Sequence, residues 1–138
     1  ENKMEIENVC CIYATAPFLL PEYIQQGLKS LSDNRAKYTF SATNFAFPIQ
    51  RAIKLNCSNQ VDMFQPEYRH TRSQDLEEAY HDAGQFYWGT TESFLEGAPF
   101  FSRHSIAIKL PRERVQDIDT PEDWSFAEIL YSVLVQKS

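Results

Sequence analysis

Hydrophobic and polar positions along this chain switch between a two-residue and a helical period, and the switches lay out its elements. Asn8 to Tyr13 is a short, nearly continuous apolar run without helical spacing. Such a run predicts a strand buried on both faces, as in parallel sheets covered by helices. Ala14 to Pro17 follow as a loop, and Pro21 opens a predicted helix to about Leu31. Lys37 to Thr43, rich in Tyr, Thr and Phe, predicts a second strand. From Phe45 to Phe64 the character changes, with strand-like pieces at Pro48 to Leu55 and Val61 to Phe64 separated by Asn56, Ser58 and Asn59. This reads as a hairpin arm, a candidate dimer contact that could equally pack on its own domain. Gln65 to Asp75 reads as loop, Leu76 to Tyr80 as a short helical stretch, and Gly84 to Trp88 as a compact strand. Thr90 or Thr91 caps a brief helix through Glu96 with Gly97 as its stop. Ser105 to Leu110 alternates as a strand, and about Pro121 to Gln136 forms a final helix with Phe126, Ile129, Leu130, Val133 and Leu134 on an apolar stripe. The order strand, helix, strand, arm, strand, helix, strand, helix predicts an α/β layered domain.

Composition narrows the class. With 138 residues, 43% hydrophobic and 14% aromatic, the chain can bury a core as one domain over residues 1–138, with the arm at about 44–71 as an insertion. A net charge of -6 argues against a sequence-independent grip on nucleic acid, so an anionic ligand must be held locally. Cys10, Cys11 and Cys57 form neither a disulfide framework nor a CxxC pair, which predicts buried free thiols in a reducing cytoplasm. The apolar stretch from Val9 to Leu20 is cut by Thr15 and Pro17, short of a membrane span, and no signal-peptide pattern opens the chain.

The densest chemistry lies in VQDIDTPEDW, Val115 to Trp124. In an extended segment Asp117 and Asp119 share a face while Ile118 turns to the core. Two hard oxygen ligands on one face suit Mg²⁺, which completes its octahedron with water and phosphate oxygens. Thr120 then serves as N-cap, Pro121 takes the first helical position, and Asp123 stands where a capping box places its acid. The same Asp-x-Asp pattern before a helix also fits surface and capping chemistry alone. His81 with Asp82 has the form of an acid/base pair, though a locally bonded, helix-end histidine suits it better.

Four segments in the same order, CIYATAPF from Cys10, FPIQRA from Phe47, RSQDLEEAYHDAGQFYW from Arg72 and DIDTPEDW from Asp117, resemble the nonulosonic acid cytidylyltransferases, which make CMP-activated acidic nine-carbon sugars. The resemblance runs from about Val9 to Leu134. The neuraminic branch has a Gln followed by a Pro-Thr-Ser-Pro-like sequence where this chain has Tyr13 to Pro17, so the pseudaminic branch is the better match. What the resemblance implies is a three-layer, Rossmann-like nucleotidyltransferase with a mixed sheet, here incomplete, and a hairpin that completes a homodimer. It implies attack of the sugar's anomeric hydroxyl on the α-phosphorus of CTP, releasing pyrophosphate, with Asp117 and Asp119 as catalytic, Mg²⁺-binding carboxylates. Arg72 and Gln74 would clamp an anionic group, although Arg72 could instead pair with Asp75 or Glu78. Tyr13 and Thr15 would line the sugar pocket, joined by Gln85 and Tyr87, with Phe86 turned to the core.

One family feature has no counterpart. A Gly-rich, basic phosphate loop is missing, and Gly27, Gly84, Gly89 and Gly97 are the only glycines. The expectation is therefore the C-terminal portion of a longer enzyme, lacking the segment that binds the CTP phosphates and inactive in isolation. That Glu1 is not an initiator residue points the same way. The alternatives are a neuraminic or legionaminic acid cytidylyltransferase, or a non-catalytic module that binds a sugar acid or dimerises.

Overall fold

The computed structural model describes residues 5–136, so Glu1, which entered the reading of a fragment, lies outside the described residues. In chain order the elements are β1 (Asn8–Ile12), α1 (Pro21–Asp33), β2 (Tyr38–Asn44), β3 (Ile53–Leu55), β4 (Val61–Met63), β5 (Tyr80–Thr90), α2 (Thr91–Glu96), β6 (Ser105–Lys109) and α3 (Pro121–Gln136). Short 3₁₀ turns stand at Ile49–Arg51, Pro66–Tyr68, Ser73–Asp75 and Arg112–Arg114. The chain divides into two compact units, Glu1–Thr43 with Asp82–Ser138, and Asn44–His81.

A mixed four-stranded sheet runs β1-β5-β2-β6. β1 lies antiparallel to β5, with Cys11 opposite Tyr87, and β2 lies parallel to β6, with Ser41 opposite Ile108. The α/β class and the predicted order of elements hold. β2 is the buried strand, and its small hydroxyls are all bonded: Thr39 Oγ1 donates to Gly27 O at 2.9 Å, and Thr43 Oγ1 to Leu110 O at 2.9 Å. Ser41 Oγ accepts from the amides of Gln85 and Phe86 at 3.1 and 3.2 Å. These bonds remove the penalty that a buried hydroxyl would otherwise carry.

Two apolar clusters anchor the helices. Phe86, Ile108 and Leu110 gather Cys10, Leu19, Tyr23, Ile24, Trp88 and Val115. Phe18, Ala127 and Leu134 gather Ile118 and Leu130. α1 approaches the sheet closely because Gly27 has no side chain: a Cβ there would stand 2.8 Å from Phe86 Cε2 and from Trp88 Cδ1. Trp88 Nε1 also donates to Ile24 O at 2.9 Å. α2 is capped as its sequence requires, since Ser93 N donates to Thr90 Oγ1 at 3.1 Å and Gly97 takes φ 63°.

Four expectations need correction. β1 is an edge strand, with Val9 and Ile12 38% and 52% exposed, and not a strand buried on both faces. Its apolar run is real, but among the described residues β5 is its one partner strand. Leu76 to Tyr80 is irregular instead of helical and runs into β5 at Tyr80, because its carbonyls and side chains are taken from outside the segment. Gln50 Nε2 donates to Glu77 O at 3.0 Å, Phe45 N to Ala79 O at 3.1 Å, and Asn44 Nδ2 to Glu78 Oε1 at 3.3 Å. α3 forms as expected but turns Ala127, Leu130 and Leu134 inward, leaving Phe126, Ile129 and Val133 exposed. The helix is apolar around most of its circumference, so its sequence does not select one face. Cys11 and Cys57 are exposed, and Cys10 is half-buried with its thiol pushed up to about 11, mainly by burial.

In the second unit, β3 and β4 pair antiparallel with Lys54 opposite Asp62, their charges 3.3 Å apart. Asn56 builds the turn by accepting from Ser58 N and Gln60 N at 2.9 and 3.0 Å, while Asn59 adopts φ 59°. The hairpin is thus present as predicted, with Ile53, Leu55 and Val61 on an exposed apolar face. Among the described residues no helix is long and apolar enough to cross a membrane.

Gly89 tests how tightly the sheet is packed, because a Cβ there would stand 2.6 Å from Tyr38 Cδ1 and 2.7 Å from Phe94 Cε2. Gly89→Ala is expected to destabilise the protein by about 1–3 kcal/mol in urea denaturation, as overpacking does. A cost indistinguishable from zero would mean that these rings move aside freely.

Candidate functional site

Three segments of the first unit converge: the end of β1 with its following loop, the middle of β5, and the acidic stretch before α3. The β1–β5 ladder is continued by Tyr13 N donating to Gln85 O at 2.9 Å. That bond fixes the start of the loop that carries Thr15. At Gly84, β5 takes φ 62°, a conformation suited to glycine, with its amide donating to Asp82 Oδ1 at 2.9 Å. The bare face of Gly84 is turned to Asp117, since a Cβ there would lie 3.8 Å from Asp117 Oδ2. Asp117 Oδ1 accepts from Thr15 Oγ1 at 3.4 Å and from Ile118 N at 3.1 Å.

The acidic stretch is irregular and not strand, which corrects the alternation expected for it. Val115 joins the Phe86 cluster and Ile118 joins the Phe18 cluster, so two apolar anchors three positions apart pin the segment. Ile118 therefore faces the core as expected, but Val115 does not share the face of Asp117. Asp117 and Asp119 are both exposed, and among the described residues neither forms an ion pair. Among those residues no cluster of three or more His, Cys, Asp and Glu side chains is arranged to hold a metal. Two exposed carboxylates still fit a hard divalent cation that draws its remaining oxygens from water and phosphate.

Downstream, the predicted capping box is formed. Asp123 N donates to Thr120 Oγ1 at 3.2 Å, while Asp123 Oδ2 accepts from Thr120 N, Thr120 Oγ1 and Asp119 N at 2.8, 2.7 and 3.2 Å. The Thr120 hydroxyl first, then the two amides, holds the Asp123 carboxyl below its ordinary range.

Beside β1 and β5 lies a cavity of about 390 Å³, lined by Tyr13, Asp82, Tyr87, Phe94, Phe100 and Phe101 among others. Tyr13 and Tyr87 have ring centroids 5.2 Å apart, and Tyr87 donates its hydroxyl to Asp82 Oδ2 at 2.6 Å. Burial first and Asp82 second push the Tyr87 phenol above its ordinary value, so it remains a neutral donor. Phe100 meets Tyr87 edge-on at 5.5 Å. Such a wall suits the apolar face of a polar ligand, with Asp82 holding one ring in place.

Of the residues singled out in the sequence, Tyr13, Thr15, Gln85, Tyr87, Asp117 and Asp119 fall in the first unit, whereas Arg72 and Gln74 fall in the second. Arg72 makes the local pair with Asp75, at 2.9 Å from Nε and 3.4 Å from Nη2, and Gln74 sits on the exposed Ser73–Asp75 turn. Phe86 is fully buried as expected, but Gln85 is buried with it at 1% exposure and donates its side-chain amide to Arg114 O. His81 lies on β5, not at a helix end, with its ring 4.8 Å from Phe45. Sequence reasoning missed Asp82 as the partner of Tyr87, and it missed Phe94, Phe100 and Phe101. The doublet Phe100-Phe101 just past a helix stop was the available signal.

No family model matches the chain. It is 50% identical over 127 residues, 92% of its length, to the pseudaminic acid cytidylyltransferases of Campylobacter jejuni subsp. jejuni serotypes O:2 and O:23/36. It is 26% identical over 125 residues to the N-acylneuraminate cytidylyltransferase B of Danio rerio, 90% of this chain and 29% of that protein. The chain covers 55% of each Campylobacter protein, so it spans about half the length of these relatives.

The capping box carries a pH signature. Because the folded Asp123 carboxyl titrates below its ordinary value of 3.8, its stabilising contribution is complete above that value and is lost as pH falls through the folded value. Thermal melts by circular dichroism between about pH 2 and about pH 6 should show wild type above Asp123→Ala at the upper end, with the gap narrowing below about pH 4. A gap independent of pH would mean that the ionised carboxylate does not cap the helix.

Proposed function

We propose that this chain carries the sugar-acid and metal-holding part of a cytidylyltransferase that joins CMP, taken from CTP, to a nonulosonic acid, with pseudaminic acid the first choice and pyrophosphate the leaving group. The observation behind this reading is half-identity, along 92% of the chain, to proteins named for that activity. The mixed sheet with its helices is compatible with the three-layer nucleotidyltransferase architecture. A reaction that consumes CTP suits the cytoplasm.

In this reading Asp117 and Asp119 hold Mg²⁺. The ion, when bound, would neutralise charge developing on the α-phosphate and polarise the attacking hydroxyl. The chain's own residues supply position. Thr15 fixes one oxygen of Asp117, and the capping box sets the backbone of Asp119. Tyr13 and Tyr87 form an aromatic wall for the sugar, with Phe100 and Phe101 extending it. On the second unit, Arg72 and Gln74 are proposed contacts for an anionic group of the substrate; the exposed pair with Asp75 is weak enough to exchange for one. The apolar face of Ile53, Leu55 and Val61 on the hairpin is proposed to meet a second copy in a homodimer.

Two outcomes are expected of the complete encoded protein. Asp117→Asn and Asp119→Asn should each lower pyrophosphate release from CTP and pseudaminic acid by about a hundredfold or more, with unchanged thermal melts. Full activity at saturating Mg²⁺ would remove both from the mechanism, and faster release with neuraminic or legionaminic acid would reassign the sugar. Leu55→Asp should shift sedimentation from dimer toward monomer, whereas an unchanged dimer would place the contact elsewhere.

A further inference from the structure

We infer that Gln85 is a positioning residue for Asp117: its buried side-chain amide fastens the acidic segment to β5, so that the carboxylate stands over Gly84. The inference rests on the proposed metal-holding role of Asp117. Gln85 joins three elements at once. Its backbone N donates to Ser41 Oγ on β2, its O accepts from Tyr13 N two residues before Thr15, and its Nε2 donates to Arg114 O three residues before Asp117. Thr15 and Asp117 then meet at 3.4 Å. The adjacent Val115 packs into the cluster of Phe86, Ile108 and Leu110, so neighbouring residues of the acidic segment are held one by a hydrogen bond and the other by apolar contact.

The orientation of the amide follows from its partner. A carbonyl accepts and does not donate, so the NH₂ group must face Arg114 O; the flipped amide would set two oxygens against each other. That leaves Gln85 Oε1 buried and without a hydrogen-bond partner among the described residues. An orphaned buried acceptor is costly, and an apolar side chain of similar size would avoid the cost if packing were the only demand. The donor is what such a side chain would lack. Between the Arg112–Arg114 turn and the cap at Thr120 the segment has no strand pairing, so loss of the Gln85 bond should be felt at Asp117 first.

The test uses the complete encoded protein, metal-free, with backbone hydrogen exchange as the primary measurement. In Gln85→Leu, the bonded amides of Val115, Ile118 and Asp119 should exchange about tenfold faster while those of α1 keep their protection. Unchanged exchange in that segment, or an equal loss of protection in α1, would overturn the proposal. Gln85→Glu keeps the shape and carries the test even if Gln85→Leu does not fold. Its carboxyl can donate to Arg114 O only when protonated, so protection of the Val115, Ile118 and Asp119 amides relative to α1 should fall as pH rises. A ratio flat with pH would again overturn it. Titration of Mn²⁺ into wild type and Asp117→Asn keeps the two readings apart. Equal affinity there would defeat the metal reading, while the exchange data alone decide whether Gln85 fastens the segment.

Discussion

One hydroxyl, Ser41 Oγ, takes two successive amides of β5, those of Gln85 and Phe86, and the geometry of the first unit follows from that pairing. In an unbroken strand successive residues point to opposite faces. At Gly84 β5 takes the left-handed conformation that favours glycine, and both Gln85 and Phe86 beyond it are buried. Phe86 nucleates the cluster under α1, and Gln85 reaches the acidic segment. Asp82, just before the turn, returns to hold Tyr87 just after it. A serine on β2 has the right size for this task, because a larger side chain would part the two strands and an apolar one would leave the amides unbonded.

From that point outward β5 acts as the reference for its neighbours. Trp88 reaches a carbonyl of α1, Gly89 makes room for Tyr38 and Phe94, and Thr90 caps α2. Polar bonds fix register and glycines set the approach distance, while burial of the apolar clusters supplies the driving force. The acidic segment borrows its order from this frame: Val115 and Ile118 sink into different clusters, and Asp117 stays exposed between them.

The candidate site accordingly combines rigid and exposed parts. Carboxylates meant to hold a cation must remain in reach of water and phosphate, so their precision has to come from the backbone that carries them. Thr15, Gly84, Gln85 and the Thr120–Asp123 box supply that precision from four directions. The aromatic cavity beside Tyr13 and Tyr87 draws on the same strands, which ties the proposed sugar wall to the proposed metal ligands through β1 and β5.

Much of this was legible in the residues alone. The order of elements, the caps of α2 and α3 and the Asn-built hairpin turn depend on contacts a few residues apart, where spacing and side-chain chemistry are decisive. The ordered motifs carried the functional reading, because co-occurrence along a chain is itself sequence information. Tertiary structure decided the rest. It made β1 an edge, kept Leu76 to Ala79 out of a helix through bonds from Asn44, Phe45 and Gln50, chose one face of an α3 that is apolar on several, and buried Gln85 against Arg114. Each of these outcomes turns on a partner distant in sequence, and a local pattern records what a residue can bond to but not which distant group arrives.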